Sequence, residues 1–217
     1  SSIYGASNPS SPYSVPWANS LFEDNAEFGY GMRIADDALK NRIVTLINDN
    51  IDKVKKSEAK IYKAYADDIN IETADKLYNI VDNTKIDELK SLKSFIKPKS
   101  IWTVGGDGWA YDIGYNGIDH VLASHDNVNI LVLDTEVYSN TGGQASKSTR
   151  KGAVAKFAAS GKNVAKKDLA KIALTYPHVY VGTISLGFNP QQAIKVLKEA
   201  EAYNGPSIVI AYSPCIA

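Results

Sequence analysis

The fold is decided by residues 101–144, which read IWTVGGDGWAYDIGYNGIDHVLASHDNVNILVLDTEVYSNTGGQ. Residues 101–104 and 128–134 are short apolar runs typical of buried strands, and residues 112–123 between them have the pattern of a helix. Strands separated by helices indicate a parallel sheet that is covered on both faces. The polar loops after the two strands are therefore expected at the carboxyl edge of the sheet, where such folds bind ligands.

The residues that follow continue this alternation. After a turn-rich loop at 135–150, the patterns predict helices near 152–160 and 166–176, a strand at 178–185, a helix from Pro190 to Tyr203 and a last strand at 207–213. The sequence thus predicts an α/β fold, with a mostly parallel sheet and helices on both faces, over residues 99–217.

The residues before this core have a different character. Residues 1–20 contain seven serines and three prolines without periodicity, so an irregular segment is predicted over 1–30, as part of the same domain. A separate helical region is predicted over 31–98, where an apolar stripe from Leu39 to Val54 indicates a helix over 33–56. Lysine-rich helices are expected at 57–66, 71–81 and 85–96, with a solvated outer face or, alternatively, a docking surface.

The composition excludes several classes of protein. The chain has 217 residues with 24 basic and 24 acidic side chains, so no global field attracts it to nucleic acid or to an anionic membrane. Its apolar runs are far shorter than a membrane span, and no charged-then-apolar leader opens it. The single cysteine, Cys215, permits no internal disulfide, and a cytoplasmic location is expected.

The loops after the first two strands carry the residues that could bind a ligand or a metal ion. Glycines surround Asp107, and such small residues let backbone N–H groups approach an anion. Thr135 and Asn140 follow the next strand, so the three side chains can converge on a hard cation that bridges a diphosphate. Mg²⁺ is commonly held by one or two protein groups together with substrate phosphates. A purely structural glycine turn is the alternative interpretation of the first loop.

These loops resemble a known signature. GDG followed by a polar ligand segment resembles the thiamine diphosphate signature. GGDGWAYDIGYNGIDHVLAS with LVLDTEVYSNTGGQASKST is more closely similar to the C-terminal, thiamine diphosphate-binding region of the pyruvate:ferredoxin (or flavodoxin) oxidoreductases. SSIYG, PWANSLFEDNAEFGYGM, KFAASGK and IAYSPCIA resemble that family too. The resemblance implies a thiamine-diphosphate-binding fold and oxidative decarboxylation of pyruvate to acetyl-CoA and CO₂.

The resemblance also implies roles for particular residues. Asp107, Thr135 and Val137 would hold Mg²⁺, the last through its main-chain carbonyl. Asn140 would lie near the diphosphate and be catalytic. Contacts to the diphosphate would come from Asn140 and from Gly106, Asp107, Gly108, Trp109, Thr135, Glu136, Val137, Tyr138 and Ser139.

The lone cysteine gains a role from the same resemblance. Cys215 would be the last ligand of a 4Fe-4S cluster, which normally needs four thiolates, so the other three are expected upstream of this chain. The glutamate that activates thiamine's aminopyrimidine is expected in another domain. The chain alone is therefore expected to be inactive, and a buried free thiol is the alternative interpretation of Cys215.

The implied partners are the remaining domains of the same enzyme, pyruvate, coenzyme A, and ferredoxin or flavodoxin, within a homodimer. A related 2-oxo acid:ferredoxin oxidoreductase, another thiamine enzyme and a noncatalytic interaction fragment remain as alternatives. The segment from Lys147 to Lys171 holds eight basic residues and one acid. It is expected to attract an acidic electron carrier, to line the cofactor entrance, or to be a solvated face or subunit contact.

Overall fold

The computed structural model describes residues 23–215. Among these residues the chain divides into two compact units, one formed by 23–31 with 101–215 and the other by Met32–Ser100. Residues 1–22 of the irregular segment predicted over 1–30 lie outside the described residues, whereas residues 25–30 are the start of a helix. No helix within residues 23–215 is long and apolar enough to cross a membrane.

Four helices belong wholly or partly to the Met32–Ser100 unit: α1 (Asn25–Asp49), α2 (Ala59–Asp67), α3 (Ile71–Ile80) and α4 (Asp87–Ser91). Short 3-10 turns follow α1, α3 and α4. The unit has its own apolar core, which contains Ile43, Ile47, Tyr62, Tyr65, Leu77 and Leu89. The predicted helix at 85–96 is shorter than expected, because after α4 the chain tightens into a 3-10 turn at Lys93–Phe95.

The first helix begins and ends earlier than the predicted range of 33–56. Its first turns contain Gly29, which is unfavourable in a helix, so the sequence pattern conceals them. In the structure Ala26 is fully buried, and a Cβ at Gly29 would lie 2.0 Å from Thr103 Cγ2. Close packing of these residues within the unit that contains the sheet therefore outweighs the low helix propensity of glycine.

The unit formed by residues 23–31 and 101–215 is built on a four-stranded parallel sheet. The strands of the chain are β1 (Trp102–Gly106), β2 (Asn129–Asp134), β3 (Val137–Tyr138), β4 (Gln144–Ala145), β5 (Tyr180–Ile184) and β6 (Ser207–Tyr212). The sheet has the order β1-β2-β6-β5 with every pair parallel, while β3 and β4 form a small antiparallel pair. The predicted parallel sheet is confirmed.

Helices cover both faces of this sheet, as predicted. The helices of this unit are α5 (Tyr115–Ala123), α6 (Leu169–Ala173) and α7 (Pro190–Ala202), and a π-helical turn at Gly108–Ile113 precedes α5. Because side chains alternate along a strand, Ile130 and Ile208 pack with Ile118 of α5 and Leu169 of α6. Val209 points to the opposite face and packs with α7.

One predicted helix is wrong. Residues 152–160 form no helix but an irregular loop, in which Gly152 and Phe157 have φ values of 85° and 67°, and Gly161 directly after the loop has a φ of 86°. A right-handed helix cannot contain these left-handed conformations. The predicted helix at 166–176 is also shortened to α6, because the Asp168 side chain accepts a hydrogen bond from Lys171 N–H and caps the helix start.

Candidate functional site

The register of β1 and β2 brings their loops to one edge of the sheet. Gly106 lies opposite Leu133, so Asp107 and the residues from Asp134 onward leave the two neighbouring strands together. Since the strands are parallel, this is the carboxyl edge, as predicted. Asp107 and Thr135 therefore meet although 28 positions separate them.

The three residues predicted to hold Mg²⁺ place their oxygen atoms together. Thr135 Oγ1 lies 2.8 Å from Asp107 Oδ1 and 2.9 Å from the Val137 carbonyl oxygen. In octahedral Mg²⁺ sites, with ligands at about 2.0–2.1 Å, adjacent oxygens lie roughly 2.9 Å apart. The single hydroxyl hydrogen of Thr135 can satisfy only one of its two acceptors at a time, so the donor set fits a small hard cation.

The surroundings of Asp107 also fit a cation. Its side chain is 2% exposed, and burial raises the pKa of the carboxyl, although hydrogen bonds from Ser146 and Thr135 oppose that change. Within the described part of the chain no lysine or arginine forms an ion pair with Asp107. A buried carboxylate is costly unless it is paired or binds a metal. Mg²⁺ would supply the missing positive charge.

Two glycines of the first loop have different surroundings. A Cβ at Gly106 would have no atom within 4 Å, so this side of the loop is open. A Cβ at Gly108 would lie 2.2 Å from Tyr138 Cε1, so the tyrosine ring occupies the space that a side chain would need. Tyr138 OH donates to Asp112 Oδ2 at 3.1 Å, and burial together with this carboxylate raises the pKa of Tyr138 to about 12. Tyr138 thus ties the second loop to the first.

The indole of Trp109 is a core side chain. It is fully buried, and Cβ atoms at Gly105 and Gly114 would lie 2.3 Å and 2.1 Å from it. These two glycines leave the space that the indole fills. A contact from Trp109 to the diphosphate therefore stays a prediction for its main-chain N–H.

Other predicted residues of the second loop differ in exposure. Ser139 and Asn140 are exposed on a 3-10 turn that ends at Gly142, whose φ is 107°. Glu136 has a left-handed φ of 63°, and its carboxylate lies 2.7 Å from Arg150 Nε and 3.1 Å from Lys166 Nζ. Its side chain is occupied within the chain, so its predicted contact with the diphosphate is expected from the backbone.

Residues 146–150, SKSTR, contact the predicted site, although the sequence pattern predicted no such contacts for their hydroxyl groups. Ser146 donates to Asp107 Oδ2, and Ser148 donates to Asp134 Oδ1. The Thr149 hydroxyl donates to the Glu136 carbonyl, and Arg150 pairs with the Glu136 carboxylate. The run of hydroxyl residues after the glycine pair was the available signal. We call residues 146–150 the hydroxyl brace, since they contact the loops after both strands.

Lysines of the basic segment contact the hydroxyl brace and the acidic residues to which it binds. Lys162 Nζ donates to the carbonyl oxygens of Ser146 and Thr149 at 2.8 Å and 2.7 Å, and burial lowers its pKa. Lys166 contacts the carboxylates of Asp134 and Glu136. At least these two members of the predicted positive strip therefore have structural contacts within the site.

The chain after β6 brings Cys215 to the same edge. Ser213 N–H donates to the Asp134 carbonyl and Cys215 N–H to the Thr135 carbonyl, both at 3.0 Å. Cys215 is a free, half-buried thiol. Cys215, the predicted ligand of the iron–sulfur cluster, is thus joined by one backbone hydrogen bond to Thr135, the predicted ligand of Mg²⁺.

Comparisons with known proteins show which family this chain resembles. Residues 91–211 match the family described as thiamine pyrophosphate enzyme, C-terminal TPP binding domain. The whole chain is similar to the pyruvate-flavodoxin oxidoreductase of Trichormus variabilis, at 49% identity, and to the pyruvate:ferredoxin oxidoreductase of Moorella thermoacetica, at 46%. In each case it spans only 20% of the relative's length.

A solved structure of a 2-oxoglutarate:ferredoxin oxidoreductase from Magnetococcus marinus superposes on 53% of this chain and 40% of its own, with a TM-score of 0.47 and 24% identity. The family match covers more than half of the chain and includes both loops of the oxygen cluster. The chain belongs to the thiamine pyrophosphate enzymes, as their C-terminal TPP-binding domain.

Proposed function

We propose that this chain binds the diphosphate of thiamine diphosphate, together with Mg²⁺, in an enzyme that oxidises pyruvate and passes electrons to ferredoxin or flavodoxin. The oxygen cluster of Asp107, Thr135 and Val137 carries the proposal. The family match supports the cofactor, and the names of the two oxidoreductases that resemble the whole chain support the substrate and the electron carriers.

Each group in the cluster has a part in binding. The Asp107 carboxylate would neutralise part of the charge of Mg²⁺, while Thr135 and Val137 would supply neutral oxygens and leave further positions to phosphate and water. When bound, thiamine diphosphate supplies the carbon nucleophile that allows a 2-oxo acid to lose CO₂. The residues of this chain would hold its diphosphate end.

Backbone and side-chain groups around the cluster would complete the diphosphate site. Gly106 lies on the open side of the first loop, and a small residue there lets the main chain approach a phosphate. The main-chain groups of Gly108, Trp109, Glu136, Tyr138 and Ser139 would add contacts. Asn140, exposed on its turn, would reach the reacting part of the cofactor.

Cys215 would link this site to electron transfer. Its backbone contact with Thr135 supports a role as one ligand of a 4Fe-4S cluster close to the cofactor. The remaining domains would supply the other three thiolates, the activating glutamate and the sites for coenzyme A and the electron carrier. We also propose a homodimer and a cytoplasmic location for the complete enzyme.

The test is an anaerobic assay of the enzyme that carries this chain with its remaining domains. Pyruvate and coenzyme A should reduce a low-potential dye and release CO₂, and omission of coenzyme A should prevent formation of acetyl-CoA. Faster reduction with 2-oxoglutarate than with pyruvate would indicate a related oxidoreductase instead. Binding of thiamine diphosphate with no turnover of any 2-oxo acid would indicate a noncatalytic role.

A first prediction concerns the metal alone. We expect Mg²⁺ to bind poorly in the absence of cofactor, because three protein oxygens leave about half of its octahedron to phosphate and water. Isothermal titration calorimetry of the same enzyme should show Mg²⁺ affinity rising at least about tenfold when thiamine diphosphate is present. Equally tight Mg²⁺ binding without the cofactor would contradict a diphosphate-linked site.

A further inference from the structure

We propose that Ser146 is a positioning residue, which orients the Asp107 carboxylate and thereby sets the affinity of the site for Mg²⁺. This inference rests on the proposed function. It goes beyond the metal ligands themselves, because Ser146 would touch neither metal nor diphosphate and would act only through Asp107.

The hydroxyl of Ser146 has a defined direction. It donates its hydrogen to Asp107 Oδ2, and its oxygen accepts a hydrogen bond from Ser148 N–H at 3.0 Å. Because an ionised carboxylate only accepts hydrogen bonds, the single hydroxyl hydrogen points to Asp107, and a lone pair of the hydroxyl oxygen accepts from the backbone donor.

The backbone of Ser146 is held from two further sides. Its N–H donates to Thr149 Oγ1 at 2.9 Å, and its carbonyl oxygen accepts from Lys162 Nζ at 2.8 Å. The residue is 5% exposed, so water does not compete freely for these groups. Ser146 is therefore a preorganised donor, because these hydrogen bonds fix its position before any ligand binds.

The two oxygens of Asp107 consequently have separate partners. Oδ2 faces Ser146, and Oδ1 faces the Thr135 hydroxyl, where the metal is proposed. Without the Ser146 hydroxyl, the buried Oδ2 would lose its side-chain donor, and the carboxylate could rotate away from Thr135. Loss of a group that orients a metal ligand typically weakens metal binding about 10- to 100-fold.

The neighbouring pair of Ser148 and Asp134 offers a matched control. Ser148 is also a buried serine that donates to an aspartate, but Asp134 additionally accepts hydrogen bonds from Tyr111 and Lys166. Asp134 therefore keeps two side-chain donors when Ser148 loses its hydroxyl. Ser160 is an exposed serine on the neighbouring loop and controls for the substitution itself.

The experiment measures retention of thiamine diphosphate by the complete enzyme, in equilibrium dialysis over a series of Mg²⁺ concentrations. Ser146→Ala should raise the Mg²⁺ concentration at half-maximal retention about 10- to 100-fold. Ser148→Ala and Ser160→Ala should change it by less than about threefold. At saturating Mg²⁺, turnover of Ser146→Ala should return to within about threefold of the unsubstituted enzyme, and Ser146→Thr, which keeps the hydroxyl, should restore most of the affinity.

The possible outcomes separate this inference from the proposed function. If the unsubstituted enzyme retains thiamine diphosphate without Mg²⁺, or does not bind it, the proposed function fails. If it requires Mg²⁺ but Ser146→Ala has the same requirement, or Ser148→Ala shifts it equally, the role of Ser146 is wrong. Should Ser146→Ala not fold, Ser146→Cys, a weaker donor of similar size, takes its place with the same expected direction.

Discussion

Replacement of Asp107 by asparagine will remove bound thiamine diphosphate and Mg²⁺ from the enzyme that carries this chain. Asparagine keeps the shape of the side chain but not its negative charge, and within the described residues no other acidic group contacts Thr135 Oγ1. Since loss of a group that merely orients a ligand costs about 10- to 100-fold in metal affinity, loss of the charged ligand should cost more than about 100-fold. Turnover with pyruvate should fall by at least the same factor at ordinary Mg²⁺ concentrations.

The same substitution should leave the ligand-free fold intact. Burial raises the pKa of Asp107, which means that the ionised carboxylate is disfavoured at this position when no cation is present. Without ligands, the melting temperature of Asp107→Asn should therefore lie within a few degrees of that of the unsubstituted protein. Thiamine diphosphate with Mg²⁺ should not raise the melting temperature of this variant. Calorimetric titration and thermal unfolding measure the two effects separately.

Two further variants test whether the effect of Asp107→Asn is specific to the metal site. Asp168→Asn changes an exposed aspartate into an equally good helix cap and should leave cofactor binding unchanged. Asn140→Ala should reduce turnover more than it reduces retention of Mg²⁺, because its amide is assigned to the cofactor and not to the ion. Undiminished cofactor affinity in Asp107→Asn would remove the basis of the proposed metal site.

Trp109→Ala should produce the largest loss of stability among single substitutions in the sheet unit. The indole is fully buried, and the backbone at Gly105 and Gly114 approaches it closely. Removal of a large aromatic side chain from a packed core typically costs about 3–5 kcal/mol, because the surrounding atoms close the cavity only in part. Urea denaturation of the purified chain, followed by circular dichroism, measures this loss.

The chain contains a matched tryptophan on the other face of the sheet. Trp102 is half-buried, and its indole nitrogen donates to Glu201 at 2.7 Å. Trp102→Ala should destabilise the protein less than Trp109→Ala, since a partly exposed ring leaves no closed cavity. A loss below about 1 kcal/mol for Trp109→Ala would show that the indole is not the core residue described above.

The amino-acid order alone was sufficient to predict how the two ligand loops meet. Apolar strands separated by helices indicate parallel pairing, and parallel strands end at the same edge of the sheet. The sequence pattern therefore predicts that Asp107 and Thr135 lie close together. The same logic predicted helices on both faces of the sheet, because each strand is apolar on both of its sides.

Local patterns failed where long-range contacts decide the conformation. The first turns of α1 were concealed by Gly29, whose helical state depends on its close approach to Thr103. The expected helix at 152–160 is replaced by a loop with two left-handed residues, Gly152 and Phe157. Backbone hydrogen bonds stabilise this loop, such as the one from Lys156 N–H to the Gly143 carbonyl at 2.9 Å. The spacing of apolar residues predicts neither the first turns of α1 nor the loop at 152–160.

At the site itself, the contacts of the hydroxyl brace depend on the tertiary structure, whereas the position of the site depends on the sequence pattern. Periodicity determined the sheet, its two covered faces and the edge at which the loops after β1 and β2 meet, because apolar burial follows from the spacing of side chains along each strand. Only the tertiary structure decided that Ser146 donates to Asp107, 39 positions earlier, and Ser148 to Asp134. A hydrogen bond depends on the direction and distance of two particular atoms, and the path of an irregular loop sets both.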